Sequence, residues 1–110
     1  FVGALGLHIP TVKLPFSPCV EIGWRFAFSF WGQGLATEAA LAVLKVGFEQ
    51  LKLAEIVSFT ALINLRSQAL MERIGMVRVP GHFPHPNVSP DSKLSQHCRY
   101  TLSHQQWHNR

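Results

Sequence analysis

The feature that most constrains the fold is an alternation of apolar with polar or small residues from Val20 to Phe30. One side of the alternation carries Ile22, Trp24, Phe26, Phe28 and Phe30. The other side carries Glu21, Gly23, Arg25, Ala27 and Ser29. Successive side chains of a strand point to opposite faces, so a period of two predicts a β-strand with one apolar face.

A glycine-bearing turn from Trp31 to Ala36 separates this strand from a stretch with helical periodicity. Ala39, Val43 and Val46 recur at helical spacing, which predicts a helix from Thr37 to Leu51. A glycine turn that opens a helix is a common anion site, because the first amides of the helix point at the ligand. A tight turn without a ligand has the same residues, so the pattern leaves both interpretations open. The turn lacks the Lys-Ser/Thr of a P-loop and the third glycine of a dinucleotide-binding motif.

The other predicted elements place this strand–turn–helix unit inside one sheet. They are a strand at Phe1–Ile9, a buried strand at Glu55–Leu62, a helix at Asn64–Ile74 followed by Gly75, a loop at His82–Asp91, and a last strand that includes Tyr100–Leu102 and ends near Trp107. A strand–helix–strand unit implies two parallel strands joined by a crossover. The predicted fold class is therefore α+β, with a mixed sheet of the α/β type, in a single domain over residues 1–110.

The composition narrows the classes of protein to which the chain can belong. An apolar fraction of 47% with 15% charged residues is typical of a globular domain with its own core. Cys19 and Cys98 are the two cysteines and predict free thiols in a reducing cytoplasm. His82 and His85 lie among prolines, with no carboxylate or thiol at ligand spacing, so no metal is expected. No uninterrupted apolar stretch is long enough to span a bilayer.

Two motifs, in this order, resemble the GNAT acetyltransferase family. Residues 31–36 read WGQGLA and are similar to the family's Q/R-x-x-G-x-G/A turn, which holds the cofactor pyrophosphate between a strand and a helix. Trp31 departs from the Gln or Arg of that pattern. The WGxGxA form resembles the branch that includes the ribosomal-protein N-terminal acetyltransferases. The second motif, NLRSQALMERIGM, is similar to the family's N-x-x-S helix, and the resemblance covers Val20 to Met76.

The resemblance implies a partial GNAT-like acyl-CoA N-acyltransferase fold, with acetyl-CoA as the acetyl donor. Members of the family carry a strand–helix–helix–strand part that supplies much of the acceptor pocket, and the resemblance implies that this part is missing before Phe1. The sheet edge left uncovered is a liability that proteins manage by pairing or burial. We therefore expect a homodimer in which a second copy covers that edge.

The resemblance also assigns cofactor contacts. Backbone groups near Phe26, Ala27 and Phe28 are expected to pair with the pantetheine arm as an added strand would. Arg66 is expected either to meet a cofactor phosphate or to lie on the surface of its helix. The full set of expected contacts is completed by Trp31, Gly32, Gln33, Gly34, Leu35, Ala36, Thr37, Asn64 and Ser67.

Glu21, Ser67 and Tyr100 are the candidate catalytic residues. Glu21 is the candidate general base, because a partly buried carboxyl has a raised pKa and takes a proton near neutrality. An exposed strand glutamate paired with a cation is the alternative. Ser67 is expected to hydrogen-bond the cofactor or the leaving sulfur. Tyr100 is either a proton donor to the thiolate or a tyrosine packed in the last strand.

Three function classes remain open. The first is an N-acetyltransferase that moves an acetyl group to a primary amine, either a protein N-terminus or a small molecule. The second is a catalytically silent acyl-CoA-binding module. The third is a basic protein associated with ribosomes or RNA, which the net charge of +4 allows. The positive residues are scattered, so a nucleic-acid partner is not expected, and the paired motifs favour the first two classes.

Overall fold

The computed structural model describes residues 3–10, 14, 19–26 and 34–109. In chain order the elements are β1 (Gly3–His8), β2 (Glu21–Phe26), α1 (Leu35–Lys45), a π-helical turn (Val46–Gln50), β3 (Glu55–Ala61), α2 (Leu65–Arg73), β4 (Val77–Arg78), β5 (Phe83–Pro84), β6 (Gln96–Ser103) and α3 (His104–His108). The fold is α+β, as the sequence predicts.

A mixed six-stranded sheet organises the chain. The strand order is β1-β2-β3-β6-β4, and β5 pairs with β6 beside β4. The pair β2–β3 is parallel, which confirms the crossover predicted for the strand–helix–strand unit. The pairs β1–β2 and β3–β6 are antiparallel over the full length of their registers.

The helix α1 packs on β1 and β2 through a stripe of small and aliphatic residues at a spacing of four. The stripe consists of Ala36, Ala40 and Leu44, all buried. The following π-helical turn brings Gly47 against the sheet, where a Cβ would lie 2.7 Å from Cδ1 of Ile56. Glycine therefore allows this close approach, and a larger residue would require the end of the Ile56 side chain to move.

One continuous core joins the helices to the sheet. Ile22 of β2, Ile56 of β3 and Leu102 of β6 lie in it, with Phe48 of the π-helical turn and Trp107 of α3. The Phe48 and Trp107 rings are stacked, with centroids 5.6 Å apart. The Trp107 indole N–H also donates a hydrogen bond to Glu49 Oε2 at 3.0 Å. Burial of aromatic rings contributes a large share of the stability of a domain this small.

The end of the last strand differs from its prediction. β6 ends at Ser103, and Trp107 lies in a helix and not in the strand. The reason is a capping box: the Ser103 side chain accepts from the Gln106 amide, and the Gln106 side chain accepts from the Ser103 amide. The Ser-x-x-Gln spacing is present in the sequence and could have predicted the start of this helix.

Other boundaries move by smaller amounts. α1 begins at Leu35, two residues before the start of the predicted helix, and the last part of that predicted helix is the π-helical turn. The predicted loop at His82–Asp91 contains the two-residue strand β5. Residues 27–30 of the long predicted strand lie outside the described residues. Cys19 and Cys98 are free, as expected. Within the described part of the chain, no helix is long and apolar enough to cross a membrane.

We expect Phe48→Ala to lower the free energy of unfolding by about 3–5 kcal/mol, because it removes a fully buried ring and its stacking partner for Trp107. Urea denaturation measures the change. Leu51→Ala is the matched control, since Leu51 is 59% exposed and its truncation should cost less than about 0.5 kcal/mol. Equal losses in the two variants would contradict this assignment of the core.

Candidate functional site

The strands β2 and β3 pair at a single position and then diverge. The register joins Glu21 to Val57, and the Val57 amide donates to the Val20 carbonyl at 2.9 Å. Beyond that pair, the Ile22 carbonyl accepts a hydrogen bond from the Ser58 hydroxyl at 3.0 Å in place of a backbone amide. The rest of β2 keeps its partner β1 on the opposite side.

The divergence leaves backbone groups of β2 facing a gap. Along a strand the N–H and C=O groups of alternate residues face alternate neighbours. Since the Val20 and Ile22 carbonyls face β3, the backbone groups of Trp24 and Phe26 face the same side. The register gives neither Trp24 nor Phe26 a partner on β3 among the described residues. An extended ligand with amide groups fits such an open strand edge.

A cavity of about 180 Å³ lies where the strands separate. It is bounded by residues of β2, of β3 and of the start of α2. They are Glu21, Gly23, Trp24, Ser58, Phe59, Thr60, Asn64, Ser67 and Met71. The structure thus brings together three residues that the sequence singled out, Glu21, Asn64 and Ser67.

Glu21 is a buried carboxyl with one basic neighbour. The residue is 8% exposed, and burial raises its pKa from 4.5 to about 7. Its Oε1 lies 2.8 Å from Nε2 of His8, the residue opposite it in the β1–β2 register. The sequence allowed either a buried carboxyl or an exposed carboxyl with a basic partner. In the structure the Glu21 carboxyl is buried and also has a basic partner. A group that titrates near neutrality can accept a proton at physiological pH.

The start of α1 presents amides without a capping side chain. Gly34 is the N-cap and adopts a left-handed backbone, with φ of 74°. The Glu38 amide donates to the Gly34 carbonyl at 3.3 Å and is the first to bond within the helix. The amides of Leu35, Ala36 and Thr37 precede it and belong to the turn in which helix amides have no intrahelical acceptor.

Thr37 adds an unused polar atom to the same turn. Its Oγ1 is buried and has no hydrogen-bond partner among the described residues. A buried hydroxyl without a partner is costly, so its presence at a helix N-terminus points to a ligand. The donors and the helix dipole at this position both favour an anion such as a phosphate.

The start of α2 is satisfied internally, in contrast to α1. Asn64 is its N-cap, and the Asn64 Oδ1 accepts from the Ser67 amide at 3.1 Å. The Ser67 hydroxyl accepts a hydrogen bond from the Trp24 indole at 3.4 Å, which spans the gap from β2 to α2. The Asn64 amide N–H groups and the Ser67 hydroxyl proton remain as donors at the cavity wall. Arg66 is exposed on the first turn of α2.

Tyr100 lies in the core and not at the cavity. It is fully buried, and its hydroxyl donates to Glu72 Oε2 at 2.7 Å. Burial, with the hydrogen bond to Glu72 second, raises its pKa to about 12. Among the described residues it is a packed, hydrogen-bonded tyrosine of β6.

Several of the expected cofactor contacts lie outside the described residues. These are Ala27, Phe28, Trp31, Gly32 and Gln33. Phe26 is the last residue of β2.

The structure adds cavity residues that the sequence analysis missed. Ser58 and Thr60 are polar residues that alternate with the apolar residues Val57, Phe59 and Ala61 of β3, and this contrast could have identified them. The Phe59 ring contacts the rings of Phe83 and His97, with centroids 6.1 and 6.4 Å away. Burial is the main cause of the lowered pKa of His97. Phe83 of β5 and His97 of β6 therefore place aromatic rings around Phe59, which lines the cavity.

Comparison with known proteins identifies the family to which these features belong. The model of the acetyltransferase (GNAT) domain matches residues 1–77. The chain is 33% identical over 102 residues to the FsC-acetyl coenzyme A-N(2)-transacetylase of Aspergillus fumigatus, covering 90% of this chain and 43% of the relative. It is 40% identical over 71 residues to an uncharacterized N-acetyltransferase of Bacillus subtilis, covering 64% of this chain and 42% of the relative.

A solved structure has the same fold. The GNAT-family acetyltransferase from Bacillus anthracis superposes with a TM-score of 0.75 and is 32% identical, covering 94% of this chain and 59% of that one. The chain spans about half the length of the relatives that it matches. The match of the family model over more than half of the chain shows that the chain belongs to the GNAT acetyltransferases.

Proposed function

We propose that the protein is an N-acetyltransferase that moves the acetyl group of acetyl-CoA to a primary amine. The observation that carries the proposal is the divergence of β2 and β3 after the Glu21–Val57 pair, which opens a cavity with a buried carboxyl in its wall. An acyl donor with an extended amide-bearing arm and a phosphate-rich end matches two features that lack partners among the described residues. One is the free side of β2, and the other is the open start of α1.

The described residues offer separate contacts for each part of acetyl-CoA. The amides of Leu35, Ala36 and Thr37 and the Thr37 hydroxyl are placed to bind phosphate oxygens. The backbone groups of Trp24 and Phe26 are placed to pair with the amides of the pantetheine arm. The two relatives named as acetyl coenzyme A transacetylase and N-acetyltransferase support this choice of donor.

Glu21 is the proposed general base. The acceptor reaches the site as an ammonium ion and must lose a proton before its nitrogen can attack. Glu21 takes that proton, the nitrogen lone pair forms the C–N bond at the thioester carbonyl, and the C–S bond breaks to release the coenzyme A thiolate. The nitrogen loses its second proton as the amide forms, and the departing thiolate takes up that proton to become the thiol. Unpaired backbone N–H groups of β2 are the proposed donors to the carbonyl oxygen as it gains negative charge. The Ser67 hydroxyl is the proposed donor to the leaving sulfur.

The acceptor is proposed as a class and not as a compound. The resemblance to ribosomal-protein N-terminal acetyltransferases favours a protein N-terminus, and the small cavity also fits a small amine. A screen of free-N-terminal peptides and small amines against acetyl-CoA separates the two. We place the reaction in the cytoplasm, where the free thiols Cys19 and Cys98 stay reduced.

Acetyl-CoA at a hundred times its dissociation constant should stabilise the folded chain by about 2.7 kcal/mol and raise its melting temperature. Gly34→Asp should abolish the rise, because it places a carboxylate at the open start of α1. Thermal unfolding with and without acetyl-CoA measures both.

Gly81→Asp is the matched control for backbone strain. Gly34 and Gly81 have positive φ values of 74° and 91°, and a Cβ at either position meets no atom within 4 Å. The Gly81→Asp variant should therefore keep the full acetyl-CoA response. Loss of the acetyl-CoA response in both variants would show a general effect of the Gly→Asp substitution. If the parent protein and both variants all fail to respond, the assignment of acetyl-CoA as ligand is wrong.

Glu21→Gln should lower kcat about 100-fold or more, which is the usual contribution of a general base. In the parent protein, activity should rise with pH with a midpoint at about pH 7 and level off at higher pH, because Glu21 must be ionised to accept a proton. Glu55→Gln is the control, since Glu55 is an exposed carboxyl at the start of β3. An unchanged kcat in Glu21→Gln would exclude Glu21 as the base.

The same variant tests the burial of Glu21 without any assay of activity. Between pH 4.5 and about 7 the folded protein holds a proton on Glu21 that the unfolded chain has lost. The free energy of unfolding should therefore fall with rising pH in this window, relative to that of Glu21→Gln. Parallel pH curves for the two proteins would show that the carboxyl titrates as an exposed one.

The proposal includes a homodimer, because β1 lies at the outer edge of the sheet order that the structure describes. Light scattering at working concentration should give twice the mass of the chain. A monomer at every concentration tested would rule the dimer out.

A further inference from the structure

His8, the last residue of β1, lies directly opposite Glu21, the proposed base, on the adjacent strand β2. Its Nε2 lies 2.8 Å from Glu21 Oε1, a distance typical of a charge-assisted hydrogen bond. The two side chains differ sharply in exposure: 56% for His8 and 11% for Glu21. The imidazole therefore connects a buried carboxyl to the protein surface.

Gly23 fixes the place of the imidazole. A Cβ at Gly23 would lie 3.4 Å from Cε1 of His8, so the ring lies over a position where β2 has no side chain. Gly23 and Glu21 both line the cavity. The imidazole ring thus lies against the Gly23 backbone and beside the Glu21 carboxyl, two groups that belong to the cavity wall.

We propose that His8 is a positioning residue that donates a hydrogen bond to one oxygen of Glu21, favouring the ionised form of the carboxyl and leaving its second oxygen to the acceptor amine. This inference rests on the proposed function for its catalytic meaning. A hydrogen bond to the charged form of a carboxyl stabilises that form and opposes the effect of burial. Without the donor, Glu21 would be protonated over more of the physiological range and unable to act as a base.

The other ionisable groups near this carboxyl do not replace the imidazole. Cys19 lies two residues before Glu21, and burial raises the pKa of its thiol, which keeps it uncharged at neutral pH. Arg99 of β6 and Glu55 of β3 act on the same thiol with opposite signs. The cavity residues from α2 are Ser67 and Met71, which carry no charge. Within the described residues, the ion-pair partner of Glu21 is His8.

The test compares pH profiles of kcat/KM in the parent protein, His8→Leu and His8→Gln. His8→Leu should move the ascending limb to higher pH by about half to one unit, so activity at pH 6.5 falls roughly three- to tenfold while the plateau at high pH is kept. His8→Gln retains an N–H donor and should lie between the two. His82→Leu is the matched control, because His82 is an exposed histidine with a short hydrogen bond to Gln96, at 2.7 Å. An unmoved limb in His8→Leu would overturn the proposal.

A second readout needs no activity and separates this inference from the proposed function. The difference in unfolding free energy between a protein and its Glu21→Gln variant follows the titration of Glu21. In the His8→Leu background the pH window of this difference should extend to higher pH by the same half to one unit. An unchanged window would overturn the role of His8 even if acetyl transfer is confirmed. A shifted window in a protein that transfers no acetyl group would leave the coupling in place and refute the proposed reaction.

Discussion

The parallel pair between Glu21 and Val57 is the constraint on which the site depends. At this pair β2 and β3 are joined, and after it they separate. If β2 and β3 stayed paired, the backbone groups of Trp24 and Phe26 would form hydrogen bonds to β3 and could not bind a ligand. The Ser58 hydroxyl donates a hydrogen bond to the Ile22 carbonyl, and the pairing of β2 with β3 ends there. The cavity and the free side of β2 both follow from that end.

The two helices that follow these strands differ at their N-termini. α2 begins with Asn64, whose side chain accepts from the helix, so its N-terminus is satisfied. α1 begins with Gly34, which has no side chain to cap the first turn. A helix start without a cap is tolerated when a ligand or solvent satisfies its amides. This contrast supports the proposal that the open amides and the Thr37 hydroxyl bind the ligand.

Much of the fold was predictable from local sequence. The alternation that includes Ile22 and Trp24 predicts β2, and apolar spacing predicts the helix that became α1. The long-range features were harder to see. Nothing local in His8 signals that it lies opposite Glu21, because the partner of a strand residue is set by register. Tyr100 was placed in its strand, but its hydroxyl bond to Glu72 depends on how α2 packs.

The sequence by itself determined the order of β1, β2, α1, β3 and α2, the glycine that opens α1 and the Asn64–Ser67 start of α2. Each of these depends on periodicity or on the backbone preference of one residue, and both are local properties. Tertiary structure alone decided that Glu21 is buried beside an exposed imidazole and that β2 and β3 part after one pair. Burial and strand pairing bring together residues far apart in the chain, and their energies depend on the whole packed sheet.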